Sequence, residues 1–331
     1  MTTNPEPSVA GHNKAMPAWT VLWPVFAVAT VLLLAATVPV PSVPVTLEVQ
    51  ASSITLTLPA ASRLGALATG DRLQIEGFTS LKSGDPQLAG SGAAAHVDNL
   101  IVHSEQTWLR ALHLPAGSEL TVQARGKATA LGIESPRSPV VADVEMRGKT
   151  TLRLGDRDEV LSRVFIHSEW LTVAGGDATR ADQKAPPMTL TLARQGDTAL
   201  EIKGLRPSEL AFRERREGSG VESVVVSSLE GGTLSVPSTG LSLRINGGDW
   251  LQIEGLLVER CEILAGAVLA LKLNGSARVV RLRVGEFEKS LKPSWLEFVF
   301  RHHLVNLLWG SAALLWGALA WIRKYFATVP P

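Results

Sequence analysis

The order of apolar and polar positions divides the chain into three stretches with different periods. From Ala18 to Val40 the chain is almost wholly apolar and carries no charge. At 1.5 Å per residue that length crosses a hydrocarbon layer of about 30 Å as a helix. A second run, Leu304 to Ile322, reads LVNLLWGSAALLWGALAWI and is also uncharged. Between the two, short runs alternate apolar and polar side chains and are interrupted by glycine. A period of two with one apolar face predicts half-buried antiparallel strands.

The clearest strand patterns are Ile54–Leu58, Glu119–Gln123, Thr189–Leu192, Leu241–Ile245 and Ala277–Val284. Arg63–Leu67 and Pro207–Arg216 could each form a short helix, but no stretch sustains a long amphipathic helical pattern. Proline and glycine clusters at Lys82–Ala95, Ser135–Pro139 and Gly175–Met188 predict loops, the last of them dividing the region in two. The segment Arg213–Glu217, RERRE, reads as a solvated face or a hairpin tip.

The first apolar run is longer than the 7 to 15 residues of a signal-peptide core, and Ala35-Ala36-Thr37 is a poor cleavage site, so it reads as an uncleaved anchor. The second is bracketed by Arg301, His302 and His303 before it and by Arg323, Lys324 and Tyr325 behind it. Such charged and aromatic residues hold a helix at the two headgroup layers. Within it Asn306, Gly310, Ala313, Gly317 and Ala320 recur at spacings of 4, 3, 4 and 3, which places them on one helical stripe. In lipid, small side chains permit close backbone approach and an amide supplies an interhelical hydrogen bond, so the stripe predicts a packing face. It could receive the chain's own first helix, a second copy or another membrane protein.

Lys14 precedes the first run, and Arg323 and Lys324 follow the second, which favours both termini in the cytoplasm; Lys289, Lys292 and Arg301 weigh in the opposite direction. With the termini inside, the central region is extracytoplasmic, and in a bacterium it occupies the periplasm.

An internal similarity stands out in the central region. GDRLQIEG at Gly70–Gly77 nearly repeats as GDWLQIEG at Gly248–Gly255, with a looser copy, GDTALEIKG, at Gly196–Gly204. A second pair follows in the same order: Ala116-Gly117, Leu120, Val122, Gly126 and Ala128 match Ala265-Gly266, Leu269, Leu271, Gly275 and Ala277. The pattern predicts a turn with Gly-Asp, a strand with Leu and Ile inward, and a closing glycine; Asp71, Asp197 and Asp249 are then turn caps. A weaker echo places His103-Ser-Glu before Trp108 and His167-Ser-Glu before Trp170.

Composition narrows the chemistry. With 32 basic and 31 acidic residues the net charge is +1, too balanced for the basic field that binds nucleic acid. A single cysteine, Cys261, allows no intrachain disulfide and no multi-cysteine metal site. No phosphate-binding glycine loop, nucleophile elbow or metalloprotease helix occurs. His96, His103, His113 and His167 lack ligand-like spacing, so neither a metal nor another cofactor is expected. Adjacent residues of a strand face opposite ways, so neither His-Ser-Glu run can converge as a catalytic triad. Trp108, Trp170 and Trp250 suit core packing, or a surface that stacks on a sugar or an aromatic ligand.

The sequence therefore predicts a mainly β protein built of duplicated antiparallel sandwich-like modules between two transmembrane helices. Its expected parts are a cytoplasmic tail (1–17), a first membrane helix (18–40), two extracytoplasmic half-domains (45–182 and 187–290), a second membrane helix (298–322) and a tail (323–331). The expected role is a non-enzymatic binding or assembly subunit of a bacterial inner membrane. Its expected partners are the bilayer, another membrane protein or a second copy, and an envelope protein or glycan. An enzyme acting on an envelope polymer, or a sensor relaying through a partner helix, is the alternative.

Overall fold

The computed structural model describes residues 40–84, 99–136, 138–155, 160–175, 187–196, 198–217 and 223–295, together with the isolated positions 30, 34, 37, 310, 316 and 317. The chain divides into two compact units, Pro41–Lys292 and a second made of Met1–Val40 with Pro293–Pro331.

The described residues of the larger unit form twenty-three strands. The first six are β1 (Val43–Ala51), β2 (Ser53–Thr57), β3 (Ser62–Leu64), β4 (Leu67–Thr69), β5 (Arg72–Glu76) and β6 (Ser80–Ser83). Three long strands come next with two shorter ones among them: β7 (Asn99–Leu114), β8 (Glu119–Arg125), β9 (Ala128–Glu134), β10 (Val140–Leu154) and β11 (Val160–Gly175). Then follow β12 (Met188–Ala193), β13 (Leu200–Lys203), β14 (Glu209–Ala211), β15 (Arg213–Glu217), β16 (Ser223–Ser227) and β17 (Leu229–Val236). The last are β18 (Leu241–Asn246), β19 (Trp250–Glu254), β20 (Leu257–Ala265), β21 (Leu269–Ala277), β22 (Val279–Val284) and β23 (Phe287–Ser290).

These strands form two large antiparallel sheets. Six make the order β13-β20-β21-β1-β17-β18, and fifteen make β23-β22-β19-β14-β2-β8-β9-β12-β5-β7-β10-β11-β6, with β3 and β4 also on β7. β15 and β16 form a separate hairpin, so the RERRE segment is one arm of a two-stranded ribbon. The chain passes from the small sheet to the large one at Ser52, between β1 and β2. Its N–H donates to the Ser228 carbonyl at 2.9 Å, and its own carbonyl accepts from Ala124 at 3.0 Å.

Alternation fixes the register. Along β1, Val43, Val45, Leu47, Val49 and Ala51 are all buried, while Pro44, Glu48 and Gln50 face out. A slip of one residue would turn all five apolar side chains to water, so the pairing with β17 and β21 is strongly specified. The five strand patterns read from the sequence correspond to β2, β8, β12, β18 and β22. The two short helices do not form: Arg63–Leu67 contributes to β3 and β4, and Pro207–Arg216 supplies β14 and most of β15. Leu64, Leu67, Leu210 and Phe212 are buried there, so sheet packing outweighs a local helical tendency that no long repeat reinforces.

The near-identical octapeptides fold alike. Leu73 and Ile75 of β5 and Leu251 and Ile253 of β19 are buried, and Gly77 and Gly255 close each strand at φ +72° and +61°. Gln74 Nε2 donates to Glu76 Oε1 at 2.6 Å, and Gln252 Nε2 to Glu254 Oε1 at 2.7 Å, so even the exposed pair is reproduced. Asp249 accepts the Asn246 N–H at 2.9 Å and caps its turn; Asp71 is exposed and Asp197 lies outside the described residues. The second matched pair diverges. Gly126 turns the chain after β8 at φ +57°, whereas Gly275 lies within β21, where a Cβ would stand 2.4 Å from the Leu257 carbonyl oxygen.

Strands from either side of residues 182–187 pair with one another. β12 lies between β5 and β9, and β1 between β17 and β21. The strands of Pro41–Lys292 thus interleave within one compact body.

The body also begins and finishes at neighbouring points. Val43 stands opposite Ala277, and the N–H of Leu291 donates to the carbonyl of Val280 at 3.0 Å. In the smaller unit, Val40 donates its N–H to the Pro293 carbonyl at 3.2 Å. Thr30, Leu34, Thr37, Gly310, Trp316 and Gly317 are helical, and Thr37 Oγ1 donates to the Leu34 carbonyl at 3.1 Å. Leu34 and Trp316 are 56% and 77% exposed. Otherwise the two apolar runs lie outside the described residues, including Asn306, Ala313 and Ala320 of the stripe. Among the described residues no helix is long and apolar enough to cross a membrane.

Candidate ligand face

Strand register brings two of the three singled-out tryptophans together. Trp108 of β7 and Trp170 of β11 are both paired with Glu145 of β10, so the three residues form one row across three strands on the outer face of the sheet. At about 4.8 Å per strand, the two indoles spring from backbones about 10 Å apart. Trp170 is 52% exposed and Trp108 is half-buried.

The alternation of β10 explains the row. Val140, Ala142, Val144 and Met146 point into the core, which places Asp143 and Glu145 on the other face, where Asp143 is half-buried and Glu145 is covered by its neighbours. On β7 an irregularity opposite Asp143 and Val144 leaves Arg110 as an extra residue. Its guanidinium lies 5.1 Å from the centroid of the Trp108 ring, and its Nε donates to Glu145. The side chain thus stacks on an aromatic face while it binds a carboxylate, a combination that suits a planar guanidinium.

The Arg110 hydrogen bond is the main reason that the Glu145 carboxyl is held below its ordinary range. Burial opposes this, while a bond from Ser168 and the charges of Arg110 and Arg147 add to it. A carboxylate kept ionised in this way accepts hydrogen bonds and has no proton to donate at neutral pH. Beside it, Asp143 Oδ1 accepts from Thr172 Oγ1 at 2.9 Å, and Asp143 Oδ2 lies 3.6 Å from His113 Nε2. The face therefore offers one open indole, the half-buried Asp143 carboxylate, a guanidinium and an imidazole, with the Glu145 carboxylate buried beneath them at 6% exposure. Those groups suit recognition of a polar ligand with an apolar flat side.

Trp250 belongs elsewhere. On β19, where it is half-buried, it lines a shallow cleft of about 240 Å³ with Arg213, Gln252, Arg281, Arg283 and Glu288. Six strands of the large sheet separate β19 from β7. His103, His113 and His167 are exposed, and His96 lies outside the described residues. Among the described residues, no group of three or more histidine, cysteine, aspartate or glutamate side chains could hold a metal ion. Gly310 and Gly317 of the membrane stripe are exposed.

Arg110, Asp143 and Glu145 stand in no sequence motif. The signal available was the spacing Asp143, Glu145, Arg147 along an otherwise apolar strand, which marks one polar face. The partners of that face come from strands more than thirty residues earlier and more than twenty residues later, and no local pattern encodes that register. No protein-family model matches the chain, and neither a curated protein nor a solved structure matches it.

Proposed function

We propose that the chain is a two-pass membrane protein whose β body acts as a non-enzymatic binding or assembly module outside the cytoplasm. The observation that carries this reading is that the β body begins and finishes at neighbouring points, Val43 opposite Ala277 and Leu291 bonded to Val280. Chain ends that leave a body side by side can both enter the same bilayer. Further support comes from the uncharged runs themselves and from the helical backbone at their described positions.

In this reading 18–40 and 298–322 are the membrane helices, and the short tails 1–17 and 323–331 are cytoplasmic. The near-identical octapeptides of β5 and β19 descend from a duplicated sandwich-like module whose two copies, 45–182 and 187–290, have interleaved. The stripe Asn306, Gly310, Ala313, Gly317 and Ala320 receives a helix of a partner membrane protein or of another copy. The face around Trp108, Glu145 and Trp170 meets an envelope protein or glycan.

Affinity purification from native membranes tests the proposal. Wild-type protein is expected to bring down a defined membrane partner, and the Gly310→Leu/Gly317→Leu variant to lose it. An unchanged partner list for that variant contradicts the packing seam.

A further inference from the structure

The outer face of the large sheet is hollowed where β14, β19 and β22 lie side by side. Leu251 and Ile253 of β19 point into the core, so Trp250 and Gln252 share the opposite face. Register sets Ala211 of β14 and Arg281 of β22 on either side of Gln252, and Arg283 beside Trp250. The short side chain of Ala211 leaves room between its neighbours, and the resulting cleft of about 240 Å³ is walled by Trp250, Arg213, Arg281, Arg283 and Glu288.

The two near-identical octapeptides show what is particular to this place. They differ at one position, Arg72 against Trp250. In β5, Arg72 Nη2 donates to Gln74 Oε1 at 3.2 Å, while Gln74 Nε2 donates to Glu76. In β19 the amide is held in the same way, Gln252 Nε2 donating to Glu254 Oε1 at 2.7 Å, but an indole stands in the arginine's place. The Gln252 oxygen is thus an oriented acceptor beside an aromatic surface, without the arginine donor that its counterpart has. Donors stand across from it on β22: Arg281 Nε lies 3.7 Å from Glu288 Oε1, and Arg283 Nε donates to the Gly285 carbonyl at 3.0 Å. A guanidinium carries five N–H donors, so these contacts steady both side chains and leave further donors for a ligand.

We infer that this cleft binds a neutral sugar residue of a glycan, with the C–H face of the ring on Trp250, one hydroxyl donating to Gln252 Oε1 and others accepting from Arg281 and Arg283. A pyranose has an apolar C–H face ringed by hydroxyls that both donate and accept, which matches an indole ringed by planar polar groups. Charge argues against an anion: the three arginines are answered by Glu209 and Glu288 in the cleft wall and by Glu119, 2.8 Å from Arg213. Position argues against an added peptide strand, because β14, β19 and β22 are each paired on both sides and offer no edge to extend. The volume is below the roughly 300–1,000 Å³ of pockets that enclose a drug-sized ligand, and it suits a single ring. The site is separate from the face around Trp108 and Trp170, and it does not rest on the assembly role.

Saturation-transfer NMR on the full-length protein in nanodiscs tests it, with empty nanodiscs as the blank and β-1,4-linked tetramers of glucose, N-acetylglucosamine and mannose as probes. At least one tetramer is expected to receive magnetisation at the C–H groups of one ring face. Trp250→Ala is expected to abolish the transfer, and Trp250→Phe, which keeps a smaller aromatic face, to weaken binding several-fold. Gln252→Ala, at an exposed position, is expected to weaken it several-fold with an unchanged urea midpoint. Trp170→Ala is expected to leave it intact. Absence of transfer to all three tetramers, transfer that survives Trp250→Ala or is lost equally in Trp170→Ala, or a preference for glucuronate over every neutral sugar overturns the inference. Retention of sugar binding by the Gly310→Leu/Gly317→Leu variant would support a site that works apart from the membrane stripe.

Discussion

The N–H of Leu291 donates to the carbonyl of Val280 at 3.0 Å, and this bond continues the β22–β23 ladder and holds the last residues of the β body near the start of its first strand. Val280 follows Ala277 by three residues, and Ala277 is the partner of Val43. The start and finish of a body of some 250 residues are therefore neighbours because of local pairing. Val280 and Leu291 are both buried, so packing supports the bond.

Two glycines of positive φ are expected to respond differently to alanine. Gly232, at φ +152°, would place a Cβ 2.4 Å from the Glu48 carbonyl oxygen and 2.6 Å from the Val49 Cα, so β17 would have to separate from β1. Gly126, at φ +57°, has no described atom within 4 Å of the same position. Gly126→Ala should cost about 1–2 kcal/mol, the usual penalty of a left-handed residue. Gly232→Ala should cost distinctly more in urea denaturation; equal costs would contradict the close approach of β1 and β17.

Acid should weaken the Arg110–Glu145 contact in a defined direction. The Glu145 carboxyl titrates below its unfolded value of 4.5 because Arg110 binds it. A carboxyl lowered by folding contributes stability that is complete above the unfolded value and is lost as pH falls through the folded one. Glu145→Gln is therefore expected to be less stable than wild type at neutral pH, with the gap narrowing below about pH 4.5. A gap that widens on acidification would contradict the contact.

Cys261 should be chemically silent in the native protein. Burial pushes its thiol up to about 12, with Glu262 adding to the shift, and only 5% of the residue is exposed. Because the thiolate is the reacting species, maleimide at neutral pH is expected to label it only after unfolding. Prompt labelling of the folded protein would place it elsewhere.

The two tryptophans of the candidate face should separate stability from binding. Trp170 is half open to solvent, so Trp170→Ala should change stability by no more than about 0.5 kcal/mol. Trp108→Ala also removes the Arg110 stack, worth about 0.5–1 kcal/mol at an exposed site, along with part of the sheet packing. If the face recognises an envelope component, Trp170→Ala lowers retention on isolated envelope material while the urea midpoint stays in place.

The β character of the chain could be read locally because alternation is a local property. Leu56 and Leu120 face one way and Thr55 and Thr121 the other, whatever lies beside them. Pairing order was hidden, since β2 lies between β8 and β14, one far along the chain and one much farther. The short helices expected at Arg63–Leu67 and Pro207–Arg216 failed for the same reason, their hydrogen bonds being taken by distant strands. The octapeptides at Gly70 and Gly248 revealed a common local fold. The candidate face stayed invisible because Trp108, Glu145 and Trp170 meet only through register.

Cysteine-accessibility labelling in intact cells tests the central claim, a β body held outside the cytoplasm by two membrane helices. Cysteines at Thr3, Leu257 and Thr328 report the two tails and the body, Leu257 being 71% exposed and native Cys261 silent. A membrane-impermeant maleimide is expected to label Leu257→Cys in intact cells, and Thr3→Cys and Thr328→Cys only after permeabilisation. Labelling of either tail from outside, or of Leu257→Cys only after permeabilisation, would contradict it.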